Sequence, residues 1–259
     1  MKKLVVSGCS HTEGTAFYKH NKKTPYYTEL STPQLKKKYG KDKINKQWVK
    51  NNLTWGSKLS KIGDYKSFLN LGYGGQGPDH VTRVLYSYSS MYTDISDHTV
   101  IIQIPAPERK ILYYHKNLHL LSNLLRSENM FEKEQLHFLS KFFNSGYFEY
   151  LMLEKFYKLQ LHLESRNAKV RFFAAPFYQF YNISKEHFKS LSDLLMVEYF
   201  DFNFLYRNLN LIETENFDGS PDLYLHHSGL KEGDMHFTEE GNSKLARYLY
   251  KNIDNLHDR

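Results

Sequence analysis

Residues 2–12 read Lys-Lys-Leu-Val-Val-Ser-Gly-Cys-Ser-His-Thr, and the fold turns on this stretch. Leu4, Val5 and Val6 form a short apolar run rich in β-branched side chains, and Gly8 closes it. A run of this kind predicts a strand buried on both faces and followed by a tight turn. Working outward, the same signal returns at Ser67–Leu71, which runs into the glycine cluster Gly72, Gly74, Gly75 and Gly77. It returns at Thr99–Ile104 (Thr-Val-Ile-Ile-Gln-Ile, stopped by Pro105 and Pro107), at Lys169–Ala175 before Pro176, and briefly at Asn210–Glu213. Helical spacing lies between these strands. Trp55, Leu59 and Ile62 mark one helix, and Val81, Val84 and Leu85 mark another after Pro78. Lys110–Ser165 reads as a long helical region of two or three helices, and Ser184–Met196 as a further helix. The last runs over Thr238–Asn252, with Thr238 as N-cap and Glu239 and Glu240 against the positive end of the helix dipole. Strands separated by helices predict an α/β domain with a mostly parallel sheet of about five strands, covered on both faces.

The 259 residues suit one domain, residues 1–259, carrying two insertions, at about 19–52 and about 110–165. With 41% hydrophobic and 16% aromatic residues, the chain has the material for a core, which excludes global disorder. The net charge of +7 is unevenly placed. Lys19–Lys50 holds ten lysines and no arginine against two acids, Glu29 and Asp42, a local excess of eight positive charges. The simpler reading is a solvated insertion. The sharper reading is a patch for nucleic acid or another polyanion, and lysine without arginine argues against specific phosphate recognition.

Cys9 is the single cysteine, so no intramolecular disulfide forms, which fits a cytoplasmic protein. The opening residues imitate a lipoprotein signal ending at Cys9. Their apolar run is only Leu4–Val6, against the roughly 7–15 residues a signal needs. No apolar stretch is long enough to span a membrane, and no membrane partner is expected.

In an open parallel sheet the usable crevice lies at the carboxyl ends of the strands. Three strand ends here carry chemistry: Gly8-Cys9-Ser10-His11-Thr12, Asn70-Leu-Gly-Tyr-Gly-Gly75, and Gln103-Ile-Pro-Ala-Pro-Glu-Arg109. A fourth segment, Asp234-Met-His236-Phe-Thr-Glu-Glu-Gly241, precedes the last helix. Together they could supply a nucleophile, a base, a group that orients the base, and oxyanion donors. Taken singly, each has a plainer reading. Ser10 could be a helix cap, His236 a surface residue, and Arg109 half of an ion pair with Glu108. His226, His227, Asp234 and His236 match no metal-binding spacing, so no metal is expected.

In combination these segments resemble the sequence blocks of the SGNH/GDSL hydrolases. Gly8-Cys9-Ser10-His11-Thr12 resembles the first block, usually Gly-Asp-Ser-x-Ser/Thr; its Gly-Cys-Ser form is similar to a subgroup common in phage and bacteria. Asn70–Gly75 resembles the second block, and Asp234-Met-His236 the last. The resemblance implies a three-layer α/β/α sandwich and an esterase or acyltransferase acting through an acyl-Ser10 intermediate. His236 would be the base and Asp234 its partner, with Ser10 Oγ and the imidazole within about 3–4 Å. The N–H groups of Ser10 and Gly75 would hold the oxyanion. His11, Gly74 and Gln103 would line the substrate, a small ester such as an O-acylated carbohydrate, and no cofactor is implied. The third block departs from the family. Pro105-Ala106-Pro107 stands where Gly-x-Asn is usual, so Arg109 or Gln103 would have to replace the missing donor. The rival reading is a weak or inactive SGNH domain used for binding, such as a phage accessory protein.

Overall fold

The computed structural model describes residues 2–14, 37–40, 46–105, 111–114, 117–120, 145–174, 202–214, 217, 224–225 and 236–254, with backbone alone at 10, 11, 46, 111–114, 117–120, 145–148, 202–203 and 224–225. At its centre lies β1 (Lys3–Ser7), whose Leu4, Val5 and Val6 are all fully buried. It pairs in parallel with β2 (Ser67–Asn70) on one side and with β3 (His98–Ile104) on the other. β3 in turn pairs in parallel with β6 (Lys169–Ala174), which gives the order β2-β1-β3-β6. The expected fifth strand at Asn210–Glu213 is reduced to a single bridge, Phe172 to Leu211. Two backbone bonds flank it, Phe172 N–H to Asn210 O at 2.9 Å and Ile212 N–H to Phe172 O at 2.7 Å.

Both faces of the sheet are covered, because every interior strand alternates between two apolar sets. Val5, Val100, Ile102, Val170 and Phe172 face α4 (Pro78–Ser90), α5 (Ser145–Glu164) and α6 (Phe202–Asn208). Leu4, Val6, Ile101 and Phe173 face α3 (Trp55–Ile62) and α7 (Glu239–Asn252). This is the three-layer α/β/α sandwich. Trp55 meets Phe173 edge-on at 5.0 Å between ring centroids. Gly56 lets α3 approach closely, since a Cβ there would stand 2.8 Å from Val6 Cγ2.

α3 and α7 are locked at their N-termini. Thr238 caps α7 by accepting the Gly241 N–H at 2.9 Å. The buried Asn242 side chain accepts the Trp55 N–H at 2.8 Å and donates to Thr238 O at 2.8 Å. Glu239 collects Lys38 at 2.8 Å, Lys58 at 3.2 Å and the Tyr39 hydroxyl at 2.8 Å. Burial pushes the Glu239 carboxyl up, but its bonds to Lys38 and Tyr39 and the charge of Lys58 outweigh this and hold it below its ordinary value of 4.5. A depressed folded value means the stabilisation is present above the ordinary value and lost as pH falls through the folded one. The melting temperature of the wild type should therefore exceed that of Glu239→Gln from neutrality down to about pH 5, and the gap should close in stronger acid. A gap that persists unchanged at about pH 3 would contradict this.

Several elements depart from the sequence reading. The region from Lys110 to Ser165 does not begin as helix: β4 (Ile111–Tyr114) and β5 (Asn117–Leu120) form an antiparallel hairpin, and α5 follows at 145. Short apolar runs fit either period, and Ile and Tyr tip this one toward strand. Three short elements, α6 and the paired strands β7 (Tyr224–Leu225) and β8 (His236–Phe237), carry too few residues to show a period. Of the Lys19–Lys50 segment, residues 37–40 and α2 (Lys46–Asn52) are described, and neither joins the sheet. Lys50 is not part of a solvated face. It is buried and donates to Gly72 O at 2.7 Å and Asn70 O at 3.4 Å. The expected helix at Ser184–Met196 lies outside the described residues, as do most of residues 19–45. Among the described residues, no helix is long and apolar enough to cross a membrane.

Candidate active site

The strand order places the crevice. From β1 the chain crosses to β2 on one side and then returns to β3 on the other, so connections diverge between β1 and β3. In open α/β sheets the gap beyond the carboxyl ends of such a pair is where ligands bind. Here those ends are Gly8-Cys9 and Ile104-Pro105, with the β2 loop Leu71–Gly75 alongside.

Ser10 opens a one-turn helix, α1 (Ser10–Glu13), directly after β1. The turn requires Gly8, whose φ is +154° and where a Cβ would lie 2.4 Å from Thr12 Oγ1 and 2.9 Å from Gln103 Cβ. β8 arrives from the far end of the chain, and Cα atoms of α1 and β8 come within 8 Å of one another. Phe237 is in the core on the α3/α7 face, so strand alternation turns His236 the other way. His236 is itself buried, at 5% exposure. The two segments expected to hold nucleophile and base are thus neighbours, although they lie near opposite ends of the sequence.

The β2 loop is pinned from below. Asn70 Nδ2 donates to Thr12 O at 2.7 Å, and its Oδ1 accepts the Gly72 N–H at 2.9 Å. The Gly74 N–H donates to Glu13 Oε2 at 2.7 Å, so Gly74 binds the protein rather than offering a donor to substrate. Gly75 differs. Its φ is +80°, its N–H meets no described residue, and a Cβ there would touch nothing within 4 Å. Gln103, expected at the substrate, is fully buried. Its Oε1 accepts from Thr12 Oγ1 at 2.6 Å, fastening α1 to β3. Cys9 is buried beside it.

At the end of β3, Pro105 is buried and has no N–H to give. Asp234, Arg109, His226 and His227, and the side chains of Ser10 and His11, lie outside the described residues. Among the described residues, no three His, Cys, Asp or Glu side chains gather as metal ligands. Sequence reasoning missed Glu13, Lys50 and Asn70 as site-building residues. The signal was faint: Glu13 is the lone acid among the first 28 residues.

No protein-family model matches the sequence. No curated protein matches it either. Solved structures of similar outline include a lipolytic protein of the G-D-S-L family from Veillonella parvula, at 11% identity and TM-score 0.46, covering 97% of each chain. A psychrotrophic esterase, EstA, from a Pseudoalteromonas species aligns at 14% identity and TM-score 0.43, over 98% of each chain. TesA aligns at 10% identity and TM-score 0.44, over 99% of this chain and 100% of its own.

Proposed function

We propose that this chain is an ester hydrolase of the SGNH/GDSL type, working through Ser10, with a small O-acyl ester, such as an O-acylated carbohydrate, as substrate. The observation that carries this reading is the contact of α1 with β8 at the carboxyl edge of β1. That proximity, with the Gly75 N–H meeting no described residue in the adjoining loop, supports Ser10 and His236 acting together.

The chemistry follows from the residue types. Ser10 Oγ attacks the acyl carbon while His236 takes its proton, and Asp234 fixes the imidazole tautomer. Charge collects on the carbonyl oxygen, where the N–H groups of Ser10 and Gly75 receive it. Arg109 is the third donor, replacing the side-chain donor that Pro105-Ala106-Pro107 lacks. The proton passes to the leaving alcohol and the acyl group stays on Ser10. Water, deprotonated by His236, then releases the acid and restores the serine. No step calls for a metal or cofactor.

A fluorophosphonate reports the reading directly, since it traps an activated serine covalently. The wild type should gain one phosphonyl group, at Ser10, and Ser10→Ala should gain none. An unlabelled wild type that also ignores activated esters favours a binding domain, the reading for which Pro105-Ala106-Pro107 speaks.

A further inference from the structure

One acid near the proposed site has no part in the chemistry above. Glu13 is fully buried, one helical turn beyond Ser10, and a buried carboxylate needs a strong reason to be there. It receives the Gly74 N–H at 2.7 Å. That is the length of a charge-assisted bond. Two residues earlier, the buried Lys50 ammonium holds the Gly72 carbonyl at 2.7 Å. The loop between β2 and α4 is thus gripped by a cation at one peptide and by the Glu13 carboxyl at the next. It also lies hard against α1, since a Cβ on Gly72 would stand 2.8 Å from both Glu13 N and Thr12 Cβ.

The consequence concerns the following peptide. Because Glu13 takes the Gly74 N–H, the next N–H, that of Gly75, is left with no described partner, in a left-handed turn with open space around it. Ser10 and Glu13 sit on the same short helix, so the element that carries the nucleophile also sets the loop that carries the donor. We infer that Glu13 is a positioning residue: its carboxylate fixes the Gly74 N–H and so aims the Gly75 N–H at the oxyanion formed on attack by Ser10. This rests on the esterase reading, in which Gly75 serves the oxyanion.

The test compares Glu13→Ala, which removes the acceptor, with Glu13→Gln, which keeps an oxygen in place. Two quantities are measured: hydrogen exchange at the Gly74 amide by NMR, and kcat and KM on an activated acetyl ester. In Glu13→Ala, exchange at Gly74 should rise at least about tenfold and kcat should fall at least about tenfold, with KM within about twofold. Glu13→Gln should recover most of both. Should the alanine variant not fold, Glu13→Met keeps the bulk without the acceptor and takes its place. Wild-type exchange and kcat in the variant lacking the acceptor overturn the inference. So does an equal loss in Glu13→Gln, which would mark a charge needed only for folding. A wild type with no turnover, no fluorophosphonate label and a protected Gly74 amide sinks the esterase reading instead, while the amide still reports whether Glu13 holds the loop.

Discussion

Replacing His236 with alanine should lower turnover of an activated ester by at least about 10⁴-fold, close to the loss from removing Ser10 itself, because members of such a unit do not act independently. The expectation rests on where β8 lies. Phe237 anchors the segment in the core, and alternation turns His236 away from that core, with α1 as its neighbour. The backbone should survive the change. Phe237, the Thr238 cap and the Asn242 bridge all remain, and they are what hold the N-terminus of α7. The decisive comparison is kcat for the variant and the wild type, alongside circular dichroism to check folding. A folded His236→Ala protein within tenfold of wild-type turnover would falsify the assignment of the base.

Gly8→Ala should be strongly destabilising. The new methyl would lie 2.4 Å from Thr12 Oγ1, 2.9 Å from Gln103 Cβ and 3.1 Å from Gln103 O, at a φ of +154°. Thr12 could rotate, but only by giving up its 2.6 Å bond to Gln103. The strand backbone behind it cannot retreat, because β3 is paired on both sides. Overpacking and backbone strain together should cost about 2–4 kcal/mol. In a chain of this size that is a fall in Tm of roughly 5–15 °C. Activity should drop further than stability, since any shift of the turn moves Ser10. A Gly8→Ala protein with unchanged Tm would mean that the turn is looser than its contacts indicate.

Much of the architecture was legible because it depends on strong local signals. The runs at β1, β3 and β6 are β-branched or aromatic and end at Gly8, which frees the backbone to turn, and at Pro105 and Pro176, whose fixed φ and missing N–H interrupt a strand. Pro78 at the first turn of α4 and Thr238 before α7 mark helix starts by the same logic. The hairpin at 111–120 was hidden because Ile111-Leu-Tyr-Tyr satisfies either period. Lys50 was misread for a different reason. A lysine in a lysine-rich stretch is ordinarily solvated, and only the tertiary position of the β2 loop gives it carbonyls to bind. The site divides in the same way. Ser10 and His236 stand in recognisable blocks, whereas the roles of Glu13, Asn70 and Gln103 exist only once three strand ends have converged.

The bridge from Asn242 to Trp55 spans 187 positions of sequence. It closes the sheet's second face with residues from the far end of the chain, directly after the segment that brings His236 to α1. During synthesis, everything from β1 to β6 can emerge and pair while α3 still lacks its covering helix. Loop closure over such a distance is entropically slow, so docking of α7 belongs among the last events of folding. Under the proposed esterase reading, Ser10 would lack its base until α7 docks, and the nascent chain should be chemically silent. Catalysis by this protein would therefore report on completed folding, and a ribosome-bound chain stalled before Phe237 should be inert however well its sheet has formed.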